Sequence, residues 1–175
     1  MAYKVRAQPS VELIHFSVGT GNAIWHHEQG LFRGIDHSAI DVADMERSID
    51  FYTRVLDLRV VSRSVNSGTE QARLDHVRNA LVEVVALQPT IEGPAHLELL
   101  RYVRPKGRPI PADVKSSDVV ADRLILQVHD LPRLLRVFEN ENLMMISPGM
   151  VTFADGQNAA HVRDPTGHSL ILMEE

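Results

Sequence analysis

The stretch Ile35–Leu58, IDHSAIDVADMERSIDFYTRVLDL, decides the fold, because its pattern returns at Ala121–Met144, ADRLILQVHDLPRLLRVFENENLM. At a constant offset of 86 residues, His37 falls on Arg123, Val42 on Val128, Asp44 on Asp130, Met45 on Leu131 and Arg47 on Arg133. In the first copy Ile35, His37, Ala39 and Asp41 share one face of a strand, and Asp36, Ser38, Ile40 and Val42 the other. Asp44 follows as a helix N-cap, since a short carboxylate can accept from the free N–H groups of the first turn. Behind it Met45, Ile49, Tyr52 and Leu56 form an apolar stripe at helical spacing. The second copy has the strand RLILQV, the cap Asp130 and the stripe Leu131, Leu135, Phe138. Its Pro132 sits in the first turn, where a missing N–H does no harm.

Each copy runs on into strands. After the first helix these are Leu58–Arg63, Asn79–Leu87 and His96–Val103, separated by turn-rich Asn66–Thr69 and Glu92–Pro94. After the second they are Met144–Ile146, Asn158–Arg163 and Ser169–Glu174, broken at Ser147–Gly149 and at DPTG, Asp164–Gly167. One strand, one helix and three strands, twice over, make an α+β chain of two βαβββ modules, 34–103 and 119–175, joined by a Pro-, Lys- and Arg-rich linker at 104–118. Residues 1–33 lie outside the repeat and read as a cap or dimer-forming arm, with a strand at Val11–Val18 and a short helix at Ala23–Phe32. The glycines Gly19 and Gly21 turn the chain between them but lack the third glycine of a dinucleotide fingerprint.

Composition narrows the partners. Lys plus Arg number 18 against 23 Asp plus Glu, a net charge of −5, so no basic footprint for nucleic acid or an anionic membrane exists. Apolar residues at 44 % and charged residues at 23 % belong to a globular chain rather than a disordered one. There is no cysteine, which excludes disulfides, thiolate metal sites and a Cys nucleophile. No apolar run approaches the roughly 20 residues that span a bilayer, and Met1–Ser10 lacks a signal-peptide core. The expectation is a cytoplasmic protein with a small-molecule partner. Hydrolase, kinase and zincin signatures are absent.

With its opening IDHSAIDVADMERSIDFYTRVLDL and its closing HVRDPTGHSLILMEE, Phe32–Glu175 resembles the vicinal oxygen chelate superfamily of glyoxalase I, bleomycin-resistance proteins and extradiol dioxygenases. The resemblance implies an open, curved barrel-like sheet around a cleft, within a homodimer. It also implies one metal ligand on the first strand and one on the last strand of each module. His37 and Glu98, the latter in HLELL, stand at those positions in the first module. An imidazole and a carboxylate there suit a divalent Fe, Mn, Ni, Co or Zn ion that polarises vicinal oxygens. The second module departs from the pattern. Arg123 replaces the first ligand, and aligning HLELL with SLILM puts Ile171 on Glu98; neither residue can coordinate a metal. His96, on the strand face of Glu98, and Asp122, which needs a register shift or bulge, are candidate replacements. Gln127 and His161 are candidates to line the cleft with Ile171.

Two functions follow from these residues. One is a glyoxalase-like lyase or isomerase, with dioxygenase-like chemistry also within the family. In it Glu98 or His37 is base or metal ligand, and Arg123 stabilises charge developing on a substrate oxygen. The other is a metal-free binding or sequestering protein of the bleomycin-resistance type, in which Arg123 pairs with Glu98 in place of the ion. His26, His27, His76, His129 and His168 read as surface, turn or structural residues.

Overall fold

A computed structural model describes residues 11–21, 23–27, 30–89, 96–108, 110, 111, 113–115, 117, 118 and 121–175. The sequence-based turn at Glu92–Pro94 and the start of the arm, 1–10, lie outside these residues. Two compact units emerge, one built from residues 1–41 and 57–106, the other from 42–56 and 107–175.

In the first unit β1 (His37–Asp41), β2 (Arg59–Ser67), β3 (Leu81–Gln88) and β4 (His96–Arg104) form a four-stranded sheet in the order β1-β4-β3-β2. β1 runs parallel to β4 with His37 opposite His96 and Ala39 opposite Glu98, while β3 is antiparallel to both β4 and β2. Period-two alternation sorts β4. Leu97 and Leu99 are buried on one face, and His96 and Glu98 stand half-buried on the other. The short helix α1 (Ile24–His27) buries Trp25. Val11–Val18 forms no strand. Where a turn is expected after β2, the chain makes a helix, α3 (Gly68–Leu74), that buries none of its side chains.

The second unit holds β5 (Arg123–Val128), β6 (Val151–Thr152), β7 (Asn158–Arg163) and β8 (Ser169–Glu174) in the order β5-β8-β7-β6. β5 and β8 are parallel, with Arg123 opposite Ser169 and Ile125 opposite Ile171. In place of the expected strand Met144–Ile146, a single bridge joins Met145 to Val162. The open, curved barrel-like sheet around a cleft, expected from the resemblance, is corrected here. Each sheet has only four strands and ends in two edge strands that do not pair with each other, whereas closing a sheet on itself takes about eight strands. The architecture is α+β with two open βαβββ-like sheets.

Both helices of the repeat belong to the second unit: α2 (Met45–Asp50), continued by a wider turn over Phe51–Val55, and α4 (Leu131–Asn140). Each starts as its sequence predicts, with Asp44 accepting from Arg47 N–H at 3.1 Å and Asp130 from Arg133 N–H at 2.9 Å. Each is followed by a residue of positive φ, Asp57 at 58° and Asn142 at 51°. The stripe of α2 changes phase. Leu56 N–H bonds back five residues to the Phe51 carbonyl at 3.3 Å. This π-type turn brings Phe51, Tyr52 and Val55 inward and leaves Leu56 half-buried. Phe51 meets Phe138 and Tyr52 edge-on, with ring centroids 5.9 and 5.2 Å away.

The DPTG turn has a structural explanation. Asp164 Oδ1 accepts the N–H groups of Thr166, Gly167 and His168 at 2.8–2.9 Å. Its Oδ2 accepts the Tyr52 hydroxyl at 3.0 Å. Burial, reinforced by the Asp164 charge, pushes the Tyr52 hydroxyl far above its ordinary pKa, so it stays protonated as the donor. A buried carboxylate with four donors is satisfied, and the turn is fixed.

Candidate metal centre

His37 and His96 face each other across the parallel β1–β4 pair, their ring centroids 4.9 Å apart. Glu98, two residues along β4, shares their face. Its Oε2 lies 3.7 Å from His37 Nε2 and its Oε1 lies 3.5 Å from His96 Nε2. These separations are too long for good hydrogen bonds. They approach the roughly 3.0–3.4 Å expected between neighbouring donors that share one ion at about 2.1 Å. Ala86, opposite Glu98 on β3, adds a small buried side chain beside it.

The other ring nitrogen of His37 is held from behind. Asp36 Oδ2 lies 3.0 Å from His37 Nδ1, and Asp36 Oδ1 accepts the Trp25 indole N–H at 2.6 Å. Burial acts to raise the Asp36 carboxyl, but the hydrogen bonds from His37 and Trp25 and the nearby His96 and His37 charges outweigh it and hold the group below its usual pKa. An ionised Asp36 only accepts, so His37 Nδ1 carries the hydrogen and Nε2 is the nitrogen turned toward Glu98. Gly34 makes room for this arrangement. At its φ of +149° a Cβ would come within 2.8 Å of the Trp25 ring. The Trp25 carbonyl also accepts from Arg33 Nη1.

One ligand atom each from Asp36, His37 and His96 lies within 4.8 Å of the others, a three-residue cluster that can hold a divalent metal. The donor set of imidazole and carboxylate fits Fe, Mn, Ni, Co or Zn. All four side chains, Glu98 included, are half-buried.

The remaining candidates lie in the second unit. Arg123 opens β5 and has no ion pair or hydrogen bond among the described residues. Asp122 precedes that strand, and its two oxygens lie 3.1–3.2 Å from Nδ1 of buried His168. His161 is opposite Ile171 on β7 and touches the Ser169 hydroxyl through Nε2. Burial first, then the charges of Arg123 and Arg163, hold the His161 pKa below its ordinary 6.5. Gln127 is exposed on β5. His129, read as structural, forms an exposed ion pair with Glu175 at 2.7 Å.

Sequence reasoning missed Asp36 and Trp25. Strand parity puts Asp36 on the face away from His37, but β1 begins only at His37, so Asp36 lies outside the pleat and its carboxylate turns back. The available signals were an acid adjacent to a candidate ligand and the chain's one tryptophan.

Comparison with known proteins agrees with this reading of the fold. No curated protein matches the sequence. A glyoxalase family protein from Bacillus cereus superposes with a TM-score of 0.72 at 17 % identity, over 85 % of this chain and 97 % of that one. The trypanothione-dependent glyoxalase I of Leishmania major gives 0.56 at 20 % identity, over 82 % and 88 %. Lactoylglutathione lyase from Agrobacterium tumefaciens gives 0.52 at 15 %, over 83 % and 96 %. Identities this low speak for the fold alone. The family itself is shown by the sequence match over residues 34–172, and the chain belongs to the Glyoxalase/Bleomycin resistance protein/Dioxygenase superfamily.

Proposed function

We propose that the chain is a metal-dependent enzyme of the glyoxalase-like kind, a lyase or isomerase acting on a small oxygenated molecule. The observation that carries this reading is the Asp36, His37 and His96 cluster, with Glu98 on the same face of β4 and each of its oxygens 3.5–3.7 Å from one histidine Nε2. His37, His96 and Glu98 would hold the ion, with Asp36 behind His37. When bound, a divalent ion there supplies Lewis acidity toward vicinal substrate oxygens. The protein's own groups do the rest. Asp36 fixes the His37 tautomer, and Trp25 fixes Asp36. One carboxylate oxygen of Glu98 would take the proton from a hydroxyl-bearing carbon beside a carbonyl. The C–H electron pair becomes the carbon–carbon double bond of an enediolate as the carbonyl π pair moves onto oxygen; return of the proton to the former carbonyl carbon, with transfer of the hydroxyl proton to the other oxygen, completes an isomerisation. Ala86, Val84 and Leu100 continue the Glu98 face as apolar surface that limits access of water. A homodimer and a cytoplasmic location go with this reading. Among the described residues no helix is long and apolar enough to cross a membrane.

Metal analysis of protein purified without chelator tests the reading, together with thermal unfolding in Mn, Ni or Zn. The expected outcome is a metal-dependent rise in Tm that Glu98→Gln abolishes. Substoichiometric metal, with turnover indifferent to chelator, overturns it. A second reading, a metal-free small-molecule binder, is favoured by Arg123, Ser169 and Ile171 at the ligand-equivalent positions of the second sheet. A bound compound recovered unchanged after long incubation supports that reading, and a product eliminates it.

A further inference from the structure

The second unit carries a site of opposite electrostatic character. A cavity of about 190 Å³ opens between β5, β7, β8 and the segment before them, and its charged lining consists of Lys115, Arg123, Arg163 and Asp122. Arg123, Ser169 and Arg163 occupy one row across three adjacent strands, because Ser169 is opposite Arg123 on one side and Arg163 on the other. Two guanidinium groups therefore flank a hydroxyl, a like-charged arrangement that a bound anion relieves. Asp122 offsets one of the three positive charges, and its carboxylate is engaged with His168. Arg163 gives one N–H to the Gly167 carbonyl at 2.5 Å and keeps others available. His161 also lines this cavity; burial first, and then the charges of Arg123 and Arg163, lower its pKa. A larger cavity of about 310 Å³ shares Arg163 and is lined also by Arg47, Asp50 and Arg54, but there Arg54 is held by Asp50 and Glu141.

We propose that the cavity beside Arg123, Ser169 and Arg163 binds a small dianionic oxyanion of the phosphate class, either the free ion or the phosphoryl group of a monoester. Three cationic side chains against one engaged carboxylate match a dianion. Guanidinium forks present paired N–H groups to tetrahedral oxyanions, and the Ser169 hydroxyl, which His161 Nε2 contacts, lies between them in the row. The site lies in the second unit, and it gives a use to a residue that cannot serve as a ligand.

Calorimetric titration of chelator-treated, full-length protein at low ionic strength tests this, with inorganic phosphate, phenyl phosphate and acetate as probes. Saturable phosphate binding is expected, weakened on the order of tenfold by Arg123→Gln and unchanged by Lys106→Gln. Arg123 is exposed, so the variant should fold; circular dichroism checks this, and Arg123→Lys should retain part of the affinity. The His161 ring resonances should move as phosphate is added. Tighter binding of phenyl phosphate identifies an ester as the natural ligand class, and equal binding the free ion. Absence of saturable binding, unmoved His161 resonances or undiminished binding in Arg123→Gln each overturns the site. Acetate binding as tight as phosphate overturns the dianion assignment.

Discussion

The first and last strands of the two sheets pair in the same register but carry opposite chemistry. In the first sheet His37 is opposite His96 and Ala39 opposite Glu98. In the second Arg123 is opposite Ser169 and Ile125 opposite Ile171. Position for position, His, His and Glu become Arg, Ser and Ile. The first set offers lone pairs to a cation, and the second offers N–H and O–H donors with an apolar side chain at the former carboxylate position. A parallel strand pair thus places three side chains on one face whatever they are, and the side chains alone decide the sign of the guest. The supports differ too. His37 is braced by Asp36 and Trp25, whereas Arg123 has no such brace among the described residues.

The most direct way to break this comparison is to transplant the chemistry. If register alone sets the geometry, Arg123→His, Ser169→His and Ile171→Glu together should create a metal site in the second sheet. Metal content per chain should double. Saturating Mn, Ni or Zn should stabilise the variant by about 3 kcal/mol beyond wild type at a hundredfold excess over Kd. An unchanged stoichiometry would show that backbone register is insufficient while Asp122, in the place of Asp36, is held by His168.

A smaller effect tests whether the second unit depends on its imported helix. Tyr52→Phe keeps the ring against Phe51 but leaves Asp164 Oδ2 without its donor. The expected cost is about 1–3 kcal/mol in urea unfolding. A change within error would mean that the three backbone N–H groups on Asp164 suffice to hold the DPTG turn.

The brace of the first site can be removed alone. Trp25→Phe preserves most of the buried ring and deletes the N–H that Asp36 accepts, so metal affinity should fall on the order of tenfold with little change in metal-free Tm. Equal affinity in the two proteins would dissociate Trp25 from the centre.

The smallest effect reads out the field of the second site. The His161 pKa is held below 6.5 by burial and by Arg123 and Arg163. Its neutral form is favoured by folding, so this contribution to stability is complete above pH 6.5 and lost as pH falls through the folded-state pKa. Arg123→Gln should raise that pKa and weaken the pH dependence of Tm over this interval, as NMR titration of the ring would record. An unmoved pKa would show that burial alone sets it.

Local features were legible in the sequence because they rest on near neighbours. Asp44 and Asp130 cap the helices they precede, and Leu131, Leu135 and Phe138 are buried as their spacing requires. The shared face of His96 and Glu98 followed from strand parity. What was not legible depends on distant contacts or on departures from ideal geometry. The π-type turn rotates Leu56 out of its stripe, and nothing local to FYTRV announces it. Asp36 escaped notice because parity was carried one residue too far, to a position before β1 begins. The barrel-like sheet came from analogy, and open four-stranded sheets replaced it. That α2 belongs with the second sheet depends on Phe138 and Asp164, more than 80 residues away in the chain.

This last feature has a consequence for the covalent chain. The polypeptide enters the second unit twice, at 42–56 and again from 107 onward. No single cut therefore yields two complete cores. A fragment ending at the first repeat would expose Phe51 and Tyr52, and a fragment beginning at the second would leave Phe138 without Phe51 and Asp164 without its hydroxyl donor. A protease that nicks the backbone between Lys106 and Gly107 should release nothing, because the two pieces remain clasped through the helix that one contributes to the other. Whatever their origin, the two copies of the pattern have become a single heritable object.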